Sequence, residues 1–457
     1  MSDHLKSTNY FFFLRILIYL NPLLFAGVVY FFDYVDFNGI FETGKYTKVA
    51  KNWLGESNIY NVPERLPVYP LFIFFVFKIF GTDNLNALLF FQAILGSATL
   101  YYLLKILDEL GFSKSIFVLI SVIFNLSLYF RFSLFLPNFI FIFFITLFVY
   151  CLTKFYLKNS LKHFYFFCFF YFLLMLTRPI FSLSIILVVP FIIKMITDLN
   201  KNKSFKIFLV SLLLFSYFSS VFVQSLRYYN YNKSFAYTTQ SGHHLLFFVI
   251  PCLAKKYACG TVDNSVSDEL MRRYKNESLN NPDISINEKN KIKLKIGINY
   301  IVHEMDYSKI FISSIFSYLK TLFHSSIIEI YESFEIKKTQ KESQEFKSPI
   351  DRINYLLNNF YKDITVFIWL VSLFGVFIMR FFQLCGILMC LKKGPMQLYI
   401  ITISMSFFSL ILPTVGIGNP RYRSESEILL VILGAFGFFV IMNIKKLREK
   451  KMKLEYE

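Results

Sequence analysis

DYVDFNGIFETGKYTKVAKNWLGESNIYNVPERLPVYP, residues 33–70, decides how the rest of the chain is read. It is the first polar stretch after an apolar run at 11–32, and the next continuous apolar run starts as it ends. It gathers carboxylates (Asp33, Asp36, Glu42), cations (Lys45, Lys48, Lys51, Arg65), tyrosines and turn-forming prolines. Ionisable groups collected at the mouth of a helix bundle mark a candidate functional site. The competing reading is a solvated connecting loop.

The apolar runs on either side belong to a membrane. Of 457 residues, 55% are hydrophobic and 59 are phenylalanine, and mean hydropathy is +0.50. That exceeds what a soluble core can hide. The class expected is an all-α polytopic membrane protein, because each backbone polar group must be satisfied within its own helix in lipid. The net charge of +18 does not point to nucleic acid. The basic residues lie mostly in short loops beside apolar runs, where they report topology. Residues 11–32 lack a small-residue cleavage site after them and read as a retained span.

A span needs about 20 apolar residues. About ten stretches qualify: 11–32, 85–107, 114–131, 133–153, 161–177, 180–197, 205–226, 364–391, 396–415 and 426–444. Residues 68–80 are apolar but short, and read as a helix lying along the membrane after the first loop. With the N-terminus inside, the inner loops carry Lys105, Lys114, Lys154, Lys158, Lys162, Lys194, Lys201, Lys203, Lys206, Lys392 and Lys393. The basic tail after 444 also falls inside. The short outer connections hold only Arg131, Arg178, Arg421 and Arg423. Both termini are therefore expected in the cytoplasm.

This divides the chain into an N-terminal transmembrane module, 1–226, with its first outer loop at 33–84. An outer region follows at 227–363, then C-terminal spans and the basic tail at 364–457. Within the outer region, 227–291 reads as small and irregular, 292–335 as amphipathic helices on the outer surface, and 336–352 as a charged segment. Arg380 lies twelve residues before Lys392. A buried charge is expensive, so the favoured reading ends that span early and makes 381–391 interfacial.

Cys151, Cys168, Cys385 and Cys390 fall in apolar runs and read as packing residues. Cys252 and Cys259 lie in the outer region, where an oxidising compartment would allow a disulfide. No Cys or His pair has metal-ligand spacing. No cofactor is expected, and a divalent metal is left open but not indicated by the residues.

Orientation gathers three separated motifs on the outer face: the first loop, Thr177-Arg178-Pro179, and GNPRYRSESE at 418–427. Each arginine alone could snorkel to headgroups. Together with a carboxylate-bearing loop they would make a phosphate clamp facing a base, a task that suits arginine. Arg421 and Arg423 flank Tyr422 and would point the same way in an extended segment.

ETGKYTKVAKNWL (42–54), followed by ERLPVYPLFIFFVFKIFG (64–81), resembles the first extracytoplasmic loop of GT-C glycosyltransferases. The similarity is to bacterial relatives of protein O-mannosyltransferase and of the lipid A aminoarabinose transferase. LTRP at 176–179 and RYRSESE at 421–427 resemble two further motifs of those enzymes. The resemblance implies a GT-C-like bundle of about ten transmembrane helices, with interfacial helices in the first outer loop and a large outer loop. It also implies a bacterial plasma membrane setting. The implied activity is sugar transfer from a polyprenyl-phosphate donor to a glycan, lipid or protein acceptor on the extracytoplasmic face, inverting the anomeric centre. A loop carboxylate would be the general base, namely Glu42 first, then Asp36 or Asp33. The implied substrate-binding residues are Tyr46, Arg65, Tyr69, Arg178, Arg421, Tyr422, Arg423 and Glu427. Two departures stand out: Thr43 occupies the place of a second acid, and Glu425 and Ile428 stand where prolines are expected.

Two rivals share these features. A surface-glycan polymerase or ligase would use a lipid-diphosphate oligosaccharide. A non-catalytic transporter of lipid-linked glycans would need polar residues at mid-membrane depth or paired broken spans, and the spans are poor in them.

Overall fold

The computed structural model describes residues 2–31, 41–56, 65–254, 264–279, 284–323, 364–414 and 423–456, apart from a few positions between 113 and 134 and at 239, 393 and 395. Asp33, Asp36, Cys259, Arg421, Tyr422 and the segment 324–363 lie outside the described residues. Regular structure among the described residues is helical, with no strand. Among the described residues five helices are long and apolar enough to cross a membrane: Phe11–Tyr30, Leu85–Glu109, Asn138–Lys158, Lys203–Tyr231 and Leu373–Leu391. A bent pair, Pro179–Leu187 with Val189–Thr197, makes a sixth if counted as one. The chain is an all-α polytopic membrane protein.

The helices in order are α1 (Ser2–Phe31), α2 (Phe41–Trp53), α3 (Val68–Phe80), α4 (Leu85–Glu109), α5 (Ile116–Ile123), α6 (Asn138–Lys158) and α7 (Leu161–Met175). A 3-10 turn at Pro179–Leu183 leads into α8 (Ser184–Leu187) and α9 (Val189–Thr197), and the long α10 (Lys203–Asn232) follows. Then come α11 (Ser241–Ala254), which contains a π-turn at Leu245–Val249, α12 (Asn264–Leu279), α13 (Ile286–His303) and α14 (Tyr307–Phe323). The chain closes with α15 (Ile364–Leu388), α16 (Gln397–Ile411) and α17 (Glu427–Tyr456).

The core is aromatic and centres on α6, the span with two-thirds of its length (67%) buried. Phe148 packs on Phe167 with ring centroids 4.4 Å apart, and Phe141 and Phe148 both meet Phe181 edge-on. Such offset and edge contacts suit the ring quadrupole. Other phenylalanines, Phe13, Phe90, Phe169, Phe215 and Phe218 among them, face outward where lipid would lie. Buried hydroxyls are satisfied locally: Thr146 and Thr153 donate to Ile142 O and Val149 O, both at 2.7 Å, as lipid requires.

Close helix crossings use glycine. A Cβ on Gly437 would stand 1.9 Å from Phe382 O, and one on Gly386 would stand 1.9 Å from Leu433 O. Backbone contact of this kind between α15 and α17 admits no side chain. It also fixes the register that brings Arg380 opposite Glu427.

The ends of the bundle differ in chemistry. At one end Arg15 pairs with Asp108 at 2.5 Å, and Lys154 and Lys158 both reach Glu109. The motifs of the first loop, of 176–179 and of 423–427 sit at the other. The loop with lysines on the short connections and the loop with the candidate site are thus at opposite ends, as the lysine distribution implies.

Four expectations are corrected. Stretch 114–131 is not one helix: α5 stops at Ile123, and Asn125 turns the chain, accepting from Leu128 N with its side-chain oxygen at 3.2 Å. An Asn side chain that competes for backbone donors ends helices in this way. The stretches 161–177 and 396–415 form apolar helices, but these are shorter than a full crossing (Leu161–Met175, Gln397–Ile411). The region 227–291 is not irregular. α10 runs on to Asn232, and α11, α12 and α13 form a small helical unit around Leu246, Ile250, Leu270 and Ile296. Its α13 begins with a Ser285–Glu288 capping box, which satisfies two end donors reciprocally. Finally, α15 continues through Arg380 to Leu388, and Arg380 is buried. The cost of that charge is met by ionic and carbonyl partners that hydropathy cannot reveal. Cys252 is buried, and its pairing with Cys259 falls outside the described residues.

Candidate active site

The site is built from chain breaks. Pro179 disfavours helix at the residue before it, and Arg178 is accordingly extended (φ −144°, ψ 125°). α7 therefore ends and turns the Arg178 side chain toward the start of α6. There Asn138 Oδ1 accepts from Arg178 at 3.3 Å, and Asn138 Nδ2 donates to Glu425 Oε1 at 2.7 Å. Arg178 and Glu425 close the triangle with an ion pair of 2.9 Å. Glu425 is fully buried, at the N-terminal end of α6, where the helix dipole favours an anion.

A second knot lies beside it. Glu427 opens α17 and accepts from Arg423 Nε at 2.7 Å, from Arg380 at 3.3 Å and from Asn125 Nδ2 at 3.1 Å. The two arginines are also held by the C-terminal carbonyls of α14: Arg423 by Thr321 O (3.1 Å) and Leu322 O (3.0 Å), Arg380 by Leu322 O (2.9 Å). Gln383 accepts from Arg380 as well. Cations at a helix C-terminus offset its partial negative charge. Arg423 is therefore held within this network, and the first knot uses Glu425, which stands where a proline is expected.

The first loop docks against this rim. Val68 N donates to Leu176 O at 3.4 Å, which ties the start of α3 to the LTRP segment. Tyr69 is buried, with its ring 5.6 Å from Phe139, the neighbour of Asn138. Its hydroxyl donates to Gln92 Oε1 at 3.4 Å, and Gln92 donates to Phe132 O at 3.2 Å. Burial pushes the Tyr69 phenol well up, so it remains a donor. Tyr46 on α2 meets Tyr69 edge-on at 5.1 Å. Arg65 covers the Tyr46 ring at 5.1 Å and donates to its hydroxyl at 3.5 Å.

Arg227, near the end of α10, was not singled out from sequence. It donates to Arg65 O at 2.5 Å and stacks over Trp53 at 5.8 Å. Among the described residues neither Arg65 nor Arg227 has a carboxylate partner, and the Nε atoms of both are buried without a hydrogen bond. Among the described residues these two guanidiniums face no carboxylate, whereas Arg178, Arg380 and Arg423 face Glu425 and Glu427.

Tyr46, Arg65, Tyr69, Arg178, Arg423 and Glu427 thus share one end of the bundle. Glu42 is the second residue of α2, four before Tyr46. Asn138, Gln92, Arg227 and Arg380 join the site without a motif to announce them, and Glu425, inside the RYRSESE motif, was marked only as a departure from a proline. Asn138 beside Pro137 and Arg227 near a helix end carried a local signal, whereas Gln92 and Arg380 lie inside their helices. Among the described residues no group of three His, Cys, Asp or Glu side chains converges to hold a metal ion.

Glu427→Gln keeps the shape of that side chain and removes its charge. It is expected to lower stability by about 3–5 kcal/mol, because two buried guanidiniums lose their carboxylate. Denaturant unfolding in detergent reads this, and an unchanged midpoint would show that the carbonyls of α14 suffice for Arg380 and Arg423.

Residues 61–223 match the family described as dolichyl-phosphate-mannose-protein mannosyltransferase. The matched segment includes Arg65, Tyr69, Asn138 and Arg178, and does not include Glu42 or 423–427. It supports a membrane glycosyltransferase of the GT-C type, in agreement with the resemblance carried by the three motifs. No curated protein matches the chain.

Proposed function

We propose that the protein transfers a sugar from a polyprenyl-phosphate carrier to an acceptor hydroxyl on the extracytoplasmic face of a bacterial plasma membrane, with both chain termini in the cytoplasm. The observation that carries this reading is the pair of guanidiniums, Arg65 and Arg227, that have no carboxylate partner among the described residues, on the same rim as Arg178. A sugar phosphodiester carries one negative charge, and the phosphate leaving from it carries more as the glycosidic bond breaks. Donors placed in advance toward that growing charge stabilise the transition state over the ground state.

In the proposed step the acceptor oxygen attacks the anomeric carbon as the bond to the phosphate oxygen breaks. The hydroxyl proton passes to a loop carboxylate, Glu42 first among Glu42, Asp36 and Asp33. The electron pair of the broken bond leaves on polyprenyl phosphate, and one displacement inverts the anomeric centre. Arg65, Arg227 and Arg178 hold the phosphate, with Arg421 and Tyr422 as further candidates from the last motif. Tyr46 and Tyr69 shape the floor beside it. Arg423 and Glu427 act by holding the rim together. The acceptor class, whether protein, lipid or glycan, is chosen by groups beyond this constellation.

Purified protein in vesicles, offered labelled polyprenyl-phosphate hexose or pentose with extracted envelope acceptors, is expected to release polyprenyl phosphate and label the acceptor. Turnover only with a lipid-diphosphate oligosaccharide would replace this reading with the polymerase or ligase. Movement of the carrier between leaflets without bond cleavage would replace it with transport.

A further inference from the structure

α14 is built inside out for water. Its buried face is a line of hydroxyls at four-residue spacing, Ser313, Ser317 and Thr321, each no more than 1% exposed. Its exposed face carries Phe311 (67%), Ile315 (41%), Phe316 (44%) and Leu319 (44%). A helix lying on the aqueous surface of a protein would turn the other way, with its apolar stripe against the core. Small residues against the bundle and large apolar ones outward is the pattern of a helix in lipid.

The position of α14 agrees. Its last turn gives Leu322 O to Arg380, and Arg380 lies within the apolar part of α15, well inside that helix of Ile364–Leu388. Tyr318 donates to Leu412 O at 3.1 Å, at the end of α16. Phe323 packs on Phe377 with centroids 4.8 Å apart. Phe377 itself belongs to an outward stripe of that span, Phe374, Phe377, Phe381 and Leu384, all exposed. The apolar face of α14 therefore continues the lipid-facing surface of α15. Lys309 is exposed near the N-terminal end of α14, where a long cationic side chain reaches headgroups.

We infer that the exposed face of α14 docks into the acyl chains of the leaflet on the site's side, with Ile315, Phe316 and Leu319 in hydrocarbon and Phe311 nearer the headgroups. The occupant is lipid, because the patch is continuous with a spanning helix. The consequence reaches the site, since the carbonyls that hold Arg423 and Arg380 belong to this lipid-seated helix. The inference rests on the membrane class and not on the proposed reaction.

The test uses single variants Phe311→Trp, Phe316→Trp and Leu319→Trp of the full chain, reconstituted into phosphatidylcholine vesicles with and without brominated acyl chains. Emission is read as the difference from the native chain, whose Trp53 and Trp369 form the background. Blue-shifted emission that loses most of its intensity in brominated lipid at 316 and 319, with less loss at 311, is the expected result. Emission typical of water without quenching would overturn the inference in favour of a solvated helix. Blue-shifted emission without quenching would overturn it in favour of a protein cover, either residues 324–363 or a second copy of the chain. Each variant places a large apolar side chain where a large apolar side chain already faces outward, so folding is not at issue. Transfer activity is not the readout, so this test and that of the reaction fail separately.

Discussion

Arg178→Met is expected to lose turnover by about 10²–10³-fold, the cost of removing one pre-placed donor from a developing oxyanion. It is also expected to lose about 3–5 kcal/mol of stability, because Glu425 is left buried without its cation. The two effects separate in the double variant Arg178→Met with Glu425→Gln. There the buried charge disappears, and the new amide can still accept from Asn138 Nδ2, which now bonds Glu425 at 2.7 Å. Stability should return toward that of the native chain while turnover stays low. Because the two positions touch, the double effect should fall well short of the sum of the singles. A double variant that recovers turnover along with stability would make Arg178 a structural residue and leave phosphate holding to Arg65 and Arg227.

Glu42→Gln is expected to cost about 10²–10⁴-fold in kcat, the usual worth of a positioned general base. Expression and unfolding should stay near those of the native chain. KM for the donor should hold, since the amide replaces only the proton acceptor and not a phosphate contact. The acidic limb of the rate profile should vanish with the carboxylate. Full turnover in this variant would remove Glu42 from the mechanism and pass the role to Asp36 or Asp33, which Asp36→Asn and Asp33→Asn would then separate.

The arginines show where sequence reading stops. Arg178 was legible because proline follows it, and a proline dictates the conformation of its neighbour. Arg65 was legible because it sits between prolines in a loop bounded by apolar runs. Arg380 was misread because hydropathy prices a buried charge without knowing its partners, and those partners come from Glu427, Gln383 and the end of α14. Arg227 was passed over because it ends a span like any snorkelling cation, and only the approach of Arg65 O and Trp53 distinguishes it. Glu425 and Glu427 sat in a recognised motif, yet their task of neutralising arginines depends on Asn138 and Asn125, 287 and 302 residues away.

The amino-acid sequence by itself determined that this protein is helical and lives in a membrane, and it gathered the three motifs at one end. Hydropathy and loop charge are local properties, summed along the chain. Only the tertiary structure decided which cations at that end face a buried carboxylate and, among the described residues, which do not. That difference depends on angstrom-scale distances between residues far apart in the chain, and helix packing alone sets them.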